Sequence, residues 1–482
     1  MFNCEDKMKK NLFVSACCII ISAASCSSPS DGITDSDNLS VPDNDLIQND
    51  DYVPDDSIEN DNENTPDNIS GDNDTVPDEN ITDNETADEN TVPDESETPD
   101  ENIDGSLMYI EQIYFPGTGM GEAILIIGPD GTSVLIDTAN DGMSKQTEDA
   151  ISRRTGNKGL DWVIITHYHN DHIGGFDNLF SSSESGIAIN KGLVVRGMLD
   201  IGSDMPGVED FNEFCTLMAG ELSSKVIDLC EGGEMPCGGG SGGPWGASGC
   251  NGLLKGDLSD TSDDAQNITS FIPLGGGARI YFTHANGWIA RNDGPVKAEN
   301  NGINIGWGNT DEENARSLGA VLKWGKFNYV FAGDTQGRDI KIEKFIADNS
   351  AYILAQNGEP LIKATGADVV HLSHHGLASS TSQEWVNFLF PDDGKSRNAV
   401  VGTSGIYVTS PAQSVLDSLA PRLGTGMVWA NAKALTSGNS YKLFVANTAV
   451  TIHVENGGSQ YRVVTGIAPN EFSSAPFMST SE

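Results

Sequence analysis

The sequence predicts an α/β domain over residues 106–470 behind a disordered acidic linker, and three observations predict it. Short apolar, β-branched runs alternate with helix-like stretches from Met108 to about Val464, with Gly and Pro-Asp-Gly punctuation between them. One fully apolar strand, residues 162–166, runs straight into a cluster of histidines and aspartates. Ahead of all this, residues 27–105 carry 27 acidic side chains and no Lys or Arg, with too little apolar surface to offset the entropy of ordering.

Taken in order, residues 1–26 read as an export signal. Lys7, Lys9 and Lys10 form a basic start, residues 12–24 are apolar but too short to span a bilayer, and small residues precede Cys26. That ending resembles a bacterial lipoprotein cleavage box, which implies lipidation at Cys26 and a membrane-anchored protein facing the periplasm or cell exterior; ordinary secretory cleavage is the alternative. Residues 27–105 repeat Val-Pro-Asp at Val41, Val53, Val76 and Val92 and read as a spacer, a coil spanning roughly 50 Å that self-repulsion lengthens. Calcium binding by its Asp/Asn clusters lacks the regular loop with its Gly and terminal Glu.

The folded part opens with strands at 108–114, 123–127 and 133–136, followed by a helix at 147–154 and the strand at 162–166. Residues 204–261 differ in texture and read as an insertion holding Cys215, Cys230, Cys237 and Cys250. In an exported chain this even set reads as two disulfides; a zinc knuckle is the rival, but spacings of 15, 7 and 13 contain no C-x-x-C pair. A formal G-x-S-x-G at Gly239 to Gly243 has no strand before it and no helix after it, so a serine nucleophile is not expected there. Strands resume at 278–283, 318–323, 328–332 and 368–372, a helix follows at 383–389, and residues 471–482 read as a tail.

His167-Tyr168-His169-Asn170-Asp171-His172 packs three imidazoles and a carboxylate into six residues after an apolar strand. Histidines at i and i+2 on an extended segment project to one side and can share an ion, while the next turn carries Asp171 and His172 toward a second. Thr166 to Gly175 thereby resembles the H-x-H-x-D-H signature of the metallo-β-lactamase superfamily, and further matches follow in family order. Val134-Leu135-Ile136-Asp137 resembles the first motif, which implies that Asp137 supports the ligand imidazoles. Phe331-Ala332-Gly333-Asp334 resembles the strand-end motif whose carboxylate bridges two metals. Ser373-His374-His375-Gly376, with Ser379-Ser380 and Ser382 after it, is similar to the branch attached to the ComEC DNA-uptake channel, as are Asn314 to Leu318 and Ser410-Pro411. The resemblance implies a four-layer αββα sandwich. It departs from that branch at Thr118-Gly119-Met120-Gly121-Glu122, where a V-G-Q-G-D stretch is usual, in the added insertion, and in having no channel, so DNA import is not implied.

On this resemblance the metal ligands are His167, His169, Asp171, His172, Asp334, His374 and, completing the first ion, His284; Asp171 is also a catalytic group. His374 is favoured as a ligand and His375 as a pocket residue donating a proton to the leaving group, with the reverse assignment open. His371 reads as a core or edge histidine and His453 as structural. Two divalent ions, zinc from the His-rich set with manganese or iron as alternatives, would make water a nucleophile near neutral pH and stabilise charge developing on the substrate.

The expectation is an exported metal-dependent hydrolase of a phosphodiester or related ester, with a small molecule or cell-envelope polymer as substrate. Acyl chemistry on a lactone, thioester or β-lactam is the second reading, and a non-catalytic surface binding lipoprotein the third. Nucleic acid is disfavoured because the formal charge of −44 leaves few cations to displace counterions, unless Lys323, Lys326, Lys341 and Lys344 form a local groove.

Overall fold

The computed structural model describes residues 107–480 except 117–120, 198–207, 231–248, 261–266, 307–309, 403–409, 433–439 and 467–469. The expected leader, Cys26, the acidic spacer, Cys237 and the Gly239–Gly243 stretch lie outside the described residues.

The chain opens with an antiparallel meander of β1 (Met108–Gln112), β2 (Ile124–Ile127) and β3 (Ser133–Ile136). Helix α1 (Ser144–Thr155) crosses over to β4 (Leu160–Ile165), which lies parallel to β3. The short α2 (Asn170–Ile173) and α3 (Phe176–Phe180) lead to β5 (Ile189–Val195), then α4 (Val208–Ala219) and β6 (Val226–Asp228). A second sheet begins with β7 (Lys255–Asp257), β8 (Ile268–Pro273), β9 (Arg279–Ala285), β10 (Trp288–Ile289) and β11 (Val296–Lys297). After α5 (Thr310–Asn314) come β12 (Gly319–Trp324), β13 (Phe327–Phe331), α6 (Ile342–Asn349), β14 (Val369–His371), α7 (Gln383–Leu389) and β15 (Asn398–Val401). The chain continues through α8 (Gln413–Leu419), β16 (Val428–Ala430) and β17 (Leu443–Val445). It returns to the first sheet with β18 (Val450–Glu455), β19 (Gln460–Thr465), β20 (Phe472–Ser473) and β21 (Phe477–Met478).

Among the described residues the first sheet runs β20-β19-β18-β1-β2-β3-β4-β5-β6, and the second is centred on β9-β12-β13-β14-β15-β16-β17. Alternation along each strand sends one set of side chains inward and the other outward. Ile110, Ile126, Val134 and Ile164 of the first sheet and Ile280, Phe282 and Leu322 of the second belong to one buried cluster. On the other face of the first sheet, Leu125, Leu135, Val163 and Leu193 pack with Ile151 of α1, Phe176 of α3 and Phe214 of α4. Ile346, Val386 and Leu416, from α6, α7 and α8, are buried with the second sheet. The result is the α/β sandwich of four layers that was expected, with residues 162–165 of β4 apolar and buried because they are covered on both sides. No helix among the described residues is long and apolar enough to cross a membrane.

Two expectations about boundaries change. The segment read as an insertion is woven into both sheets, since β6 pairs with β5 and β7 with β8. The segment read as a tail supplies β20 and β21, which pair with β19, and the Thr480 N–H donates to the Asp368 carboxylate at 2.6 Å. Of the four cysteines, Cys230 and Cys250 form a disulfide, while Cys215 is buried on α4 against the first sheet.

Glu111, buried in β1, ties the sheet to the last turn of α1 by receiving Arg153 and Arg154, the latter at 2.8 Å from Nε. Replacing it leaves two partly buried guanidinium groups without their anion. Glu111→Ala is therefore expected to lower unfolding free energy by about 2 kcal/mol in urea denaturation; a change under about 0.5 kcal/mol, as for an exposed pair, would show that the clamp is not structural.

Candidate metal centre

The histidine- and aspartate-bearing motifs all follow strands whose ends meet at one rim of the sandwich. Asp137 follows β3, His167 and His169 follow β4, Asp334 follows β13, and His374 and His375 follow β14. Because β3 lies parallel to β4 and β13 to β14, these are carboxyl ends of parallel strands, where open α/β sheets present their loops. The two rims are pinned together: the Leu318 N–H donates to Thr166 O at 2.8 Å, and Gly333 sits at φ +50 with space for a Cβ only 2.8 Å from that of Thr166.

The donor atoms converge on Asp334. Its Oδ2 is 3.7 Å from His167 Nε2, its Oδ1 is 3.3 Å from His172 Nε2, and His169 Nδ1 lies 3.1 Å from His167 Nε2. On the far side Asp171 Oδ2 is 3.1 Å from His375 Nε2, and its Oδ1 is 4.0 Å from His172 Nε2. Two sets with ligand atoms within 4.8 Å of one another result, His167–His169–Asp334 and Glu122–His172–Asp334–His375, with Asp334 common to both.

Second contacts aim these rings. Asp137 Oδ2 binds His172 Nδ1 at 2.8 Å, which leaves Nε2 toward Asp334. The same carboxylate accepts the Thr166 N–H at 2.8 Å and the Thr166 hydroxyl at 2.7 Å, and Thr166 Oγ1 reaches His167 Nδ1 at 3.1 Å. Ser317 Oγ accepts the Asp334 N–H at 3.1 Å, and the His375 Nδ1–H donates to Gly402 O at 2.9 Å. Glu313, held by the buried Arg196 at 2.6 and 2.7 Å, accepts the Tyr168 N–H between the first two histidines. Asp137, His374 and His375 all adopt positive φ of 51 to 57°, a conformation that costs non-glycine residues about 1 kcal/mol or more and is kept where the surroundings over-determine it. Ser410 Oγ donating to His375 O and the Ala412 N–H donating to Gly376 O at 2.9 Å hold that turn.

Do these residues fit metal ions? His169 Nε2, His172 Nε2 and Asp334 Oδ1 are shut off from solvent and form no hydrogen bond among the described residues. Buried lone pairs left in this state cost free energy unless something electrophilic meets them, and three on neighbouring imidazole and carboxylate groups suit divalent cations. Burial disfavours charge throughout, yet the carboxylates dominate locally: His172 is raised far above its usual range by Asp334, Asp171 and Asp137, and Asp334 is lowered by the imidazoles. His375 is likewise pushed up to about 9, against its burial, by Asp171 and Glu122.

Three placements differ from expectation. His375, not His374, has its ring inside a donor set. His374 stands at the mouth, 15% exposed, with Nδ1 bonded to Ser379 Oγ at 3.0 Å and Nε2 3.7 Å from Asp334 Oδ2. His284 is not brought to the cluster: its Nδ1 and Nε2 bond the hydroxyls of Thr283 and Thr335 at 2.9 and 3.1 Å, and its ring packs where Gly319 has no side chain. Burial lowers it to about 3, so it is a neutral packing group. Glu122, which sequence reading treated only as a departure from a motif, is buried and touches His371 and, at 3.6 Å, His375 Nδ1. Its signal was an acidic residue at the end of a glycine-rich turn. His453 lies remote, edge-on to Tyr109.

A two-sheet sandwich with helices on both faces thus presents a shared His/Asp cluster at its strand ends. Residues 116–203 match the family model described as the Metallo-beta-lactamase superfamily. Among solved structures the chain is similar to the metallo-beta-lactamase fold protein YhfI from Bacillus subtilis, at 12% identity over 69% of this chain and 88% of that one, with a TM-score of 0.30. It is similar also to a diphosphatase from the PhnP family, at 11% identity over 72% and 97%, TM-score 0.32. A third likeness is to CmlA, a diiron β-hydroxylase from Streptomyces venezuelae, at 12% identity over 65% and 47%, TM-score 0.30. No curated protein matches the chain.

Two expectations follow. Asp137→Ala should leave the fold intact but free the His172 ring, weakening metal retention about 10- to 100-fold in chelator competition; unchanged retention would remove Asp137 from its supporting role. Glu343, buried on α6, accepts the Thr381 and Ser382 N–H groups at 2.6 and 2.7 Å, yet burial pushes its carboxyl up to about 7. The folded state therefore holds that proton more tightly than the unfolded chain. Its contribution to stability is complete below about pH 4.5 and is lost as pH rises through 7, by a few kcal/mol at most. Urea midpoints of wild type and Glu343→Gln across pH 5 to 8 should diverge in that direction; parallel curves would contradict it.

Proposed function

We propose that this protein is an exported, metal-dependent hydrolase of a phosphodiester or related ester, with His167, His169 and Asp334 holding one divalent ion and Asp171, His172, His375 and Asp334 the other. The observation that carries the reading is Asp334, whose two oxygens face different imidazoles at 3.3 and 3.7 Å. Zinc suits the imidazole-rich set. Two such ions, when bound, supply an activated water and an electrophile for the substrate oxygen.

The chain's own groups supply the rest. His374 places its ring at the mouth, and Ser379 fixes its Nδ1 so that Nε2 offers an N–H to an oxygen gathering negative charge on departure. Asn314 Nδ2 lies 3.4 Å from His374 Nε2; when Nε2 carries the proton, the Asn314 amide turns its oxygen, which has no other hydrogen bond among the described residues, to that side. The His375 Nδ1–H, donating to Gly402 O, directs its Nε2 at Asp171, and the Glu122 carboxylate adds negative charge 3.6 Å from the same Nδ1. Export is supported by the basic start, the apolar run before Cys26 and the Cys230–Cys250 disulfide, which persists in oxidising compartments.

The test is hydrolysis of bis(p-nitrophenyl) phosphate by the zinc-loaded protein, alongside a lactone and thioester panel. Turnover should vanish with chelator and in Asp334→Asn. His374→Ala should keep its metal and lose about 100-fold in kcat, whereas His375→Ala should lose metal. Diester turnover that survives chelation ends the proposal, and turnover confined to lactones or thioesters moves the substrate to the acyl class.

A further inference from the structure

Most of this molecule repels anions, since the formal charge outside residues 27–105 is still strongly negative. One concavity beside the metal centre differs. It has a volume of about 480 Å³ and is lined by Arg338, Lys341 and Lys344 on one side and Ser380, Thr381 and Ser382 on the other. Lys344 is paired with Asp348 at 2.5 Å, but the exposed Arg338 and Lys341 side chains have no ion pair among the described residues. Lys323, counted from sequence as part of such a groove, is instead committed to Asn328 Oδ1 at 2.7 Å and Leu361 O at 3.0 Å.

A second observation points to a ligand. Ser380 and Thr381 are 2% and 5% exposed, and the hydroxyls of both are buried without a hydrogen-bond partner among the described residues. Two unsatisfied hydroxyls in residues that line the same concavity as two cations without ion pairs match a tetrahedral oxyanion, which accepts from O–H, N–H and guanidinium donors together. Glu384 is the acidic residue on the same wall. The concavity adjoins the reaction site: the Gly337 and Arg338 N–H groups both donate to Ser379 O at 3.0 Å, and the Ser379 hydroxyl bonds His374. Arg338 lies four residues beyond Asp334.

We propose that this concavity is a subsite for a second phosphate of the substrate, held by Arg338, Lys341, Ser380 and Thr381. The substrate is then a phosphodiester bearing one further phosphate near the scissile one. A pocket with two unpaired cations suits a single phosphate, and the surrounding acidity excludes a long polyanion that needs many contacts. This inference rests on the hydrolase reading for its substrate and on the pocket alone for its anion.

Thymidine 3′-(p-nitrophenyl phosphate) with and without a 5′-phosphate differs by that one group. The zinc-loaded full chain should show a KM at least tenfold lower for the 5′-phosphorylated ester, and Arg338→Gln/Lys341→Gln should shrink the ratio to twofold or less. Both changes are at exposed positions, and circular dichroism checks the fold. Calorimetric titration with thymidine 3′,5′-bisphosphate against thymidine 3′-phosphate gives the same comparison without turnover. A tenfold binding preference that vanishes in the double variant upholds the subsite even if neither ester is cleaved, which would sink the hydrolase reading alone. No preference in the wild type, or a preference untouched by the double variant, overturns the subsite.

Discussion

Asp334 is the constraint on which the rest of the structure depends. A carboxylate at a buried strand end, with one oxygen facing His167 and the other His172, is an arrangement that water cannot solvate and that hydrogen bonds do not complete. Desolvation of such a group costs several kcal/mol unless opposite charge meets it. The surrounding architecture concentrates that need: parallel strands from two sheets deliver their loops to one rim, and Gly333 and Thr166 press those rims into contact. Asp137, Ser317 and Gly402 O then turn polar atoms to orienting ligands, and Thr166, itself held by Asp137, reaches His167.

Much of this was legible in the sequence, for physical reasons. The apolar run 162–166 predicted a strand, and β4 lies there, parallel to β3 on one side and to β5 on the other. Residues that follow such strands are fixed by the sheet, which is why the density of His167, His169, Asp171 and His172 stood out locally, whereas Asp137 and Asp334 were singled out through the resemblance of their motifs. The helix read at 383–389 coincides with α7 because Ser382 caps it, its hydroxyl accepting the Trp385 N–H.

What escaped depended on contacts between distant segments. Nothing local distinguishes His374 from His375; the difference is that Gly402 O meets one ring and Ser379 Oγ the other. His284 sits at a strand end as a ligand would, yet Thr335 and the vacancy above Gly319 draw its ring away. Glu122 became visible only when β2 brought it beneath His371 and His375. The residues read as a tail had no apolar periodicity, and they pair with β19 through backbone groups, which sequence pattern does not report.

A carboxylate shared by two ions is the feature that the Asp334 geometry requires. Anomalous diffraction at the zinc edge from crystals of the zinc-loaded protein tests this directly. The prediction is two peaks about 3.5 to 4 Å apart flanking Asp334, one toward His167 and His169 and the other toward His172 and His375. A single peak, or two peaks with the Asp334 carboxylate beyond bonding distance of both, would contradict it.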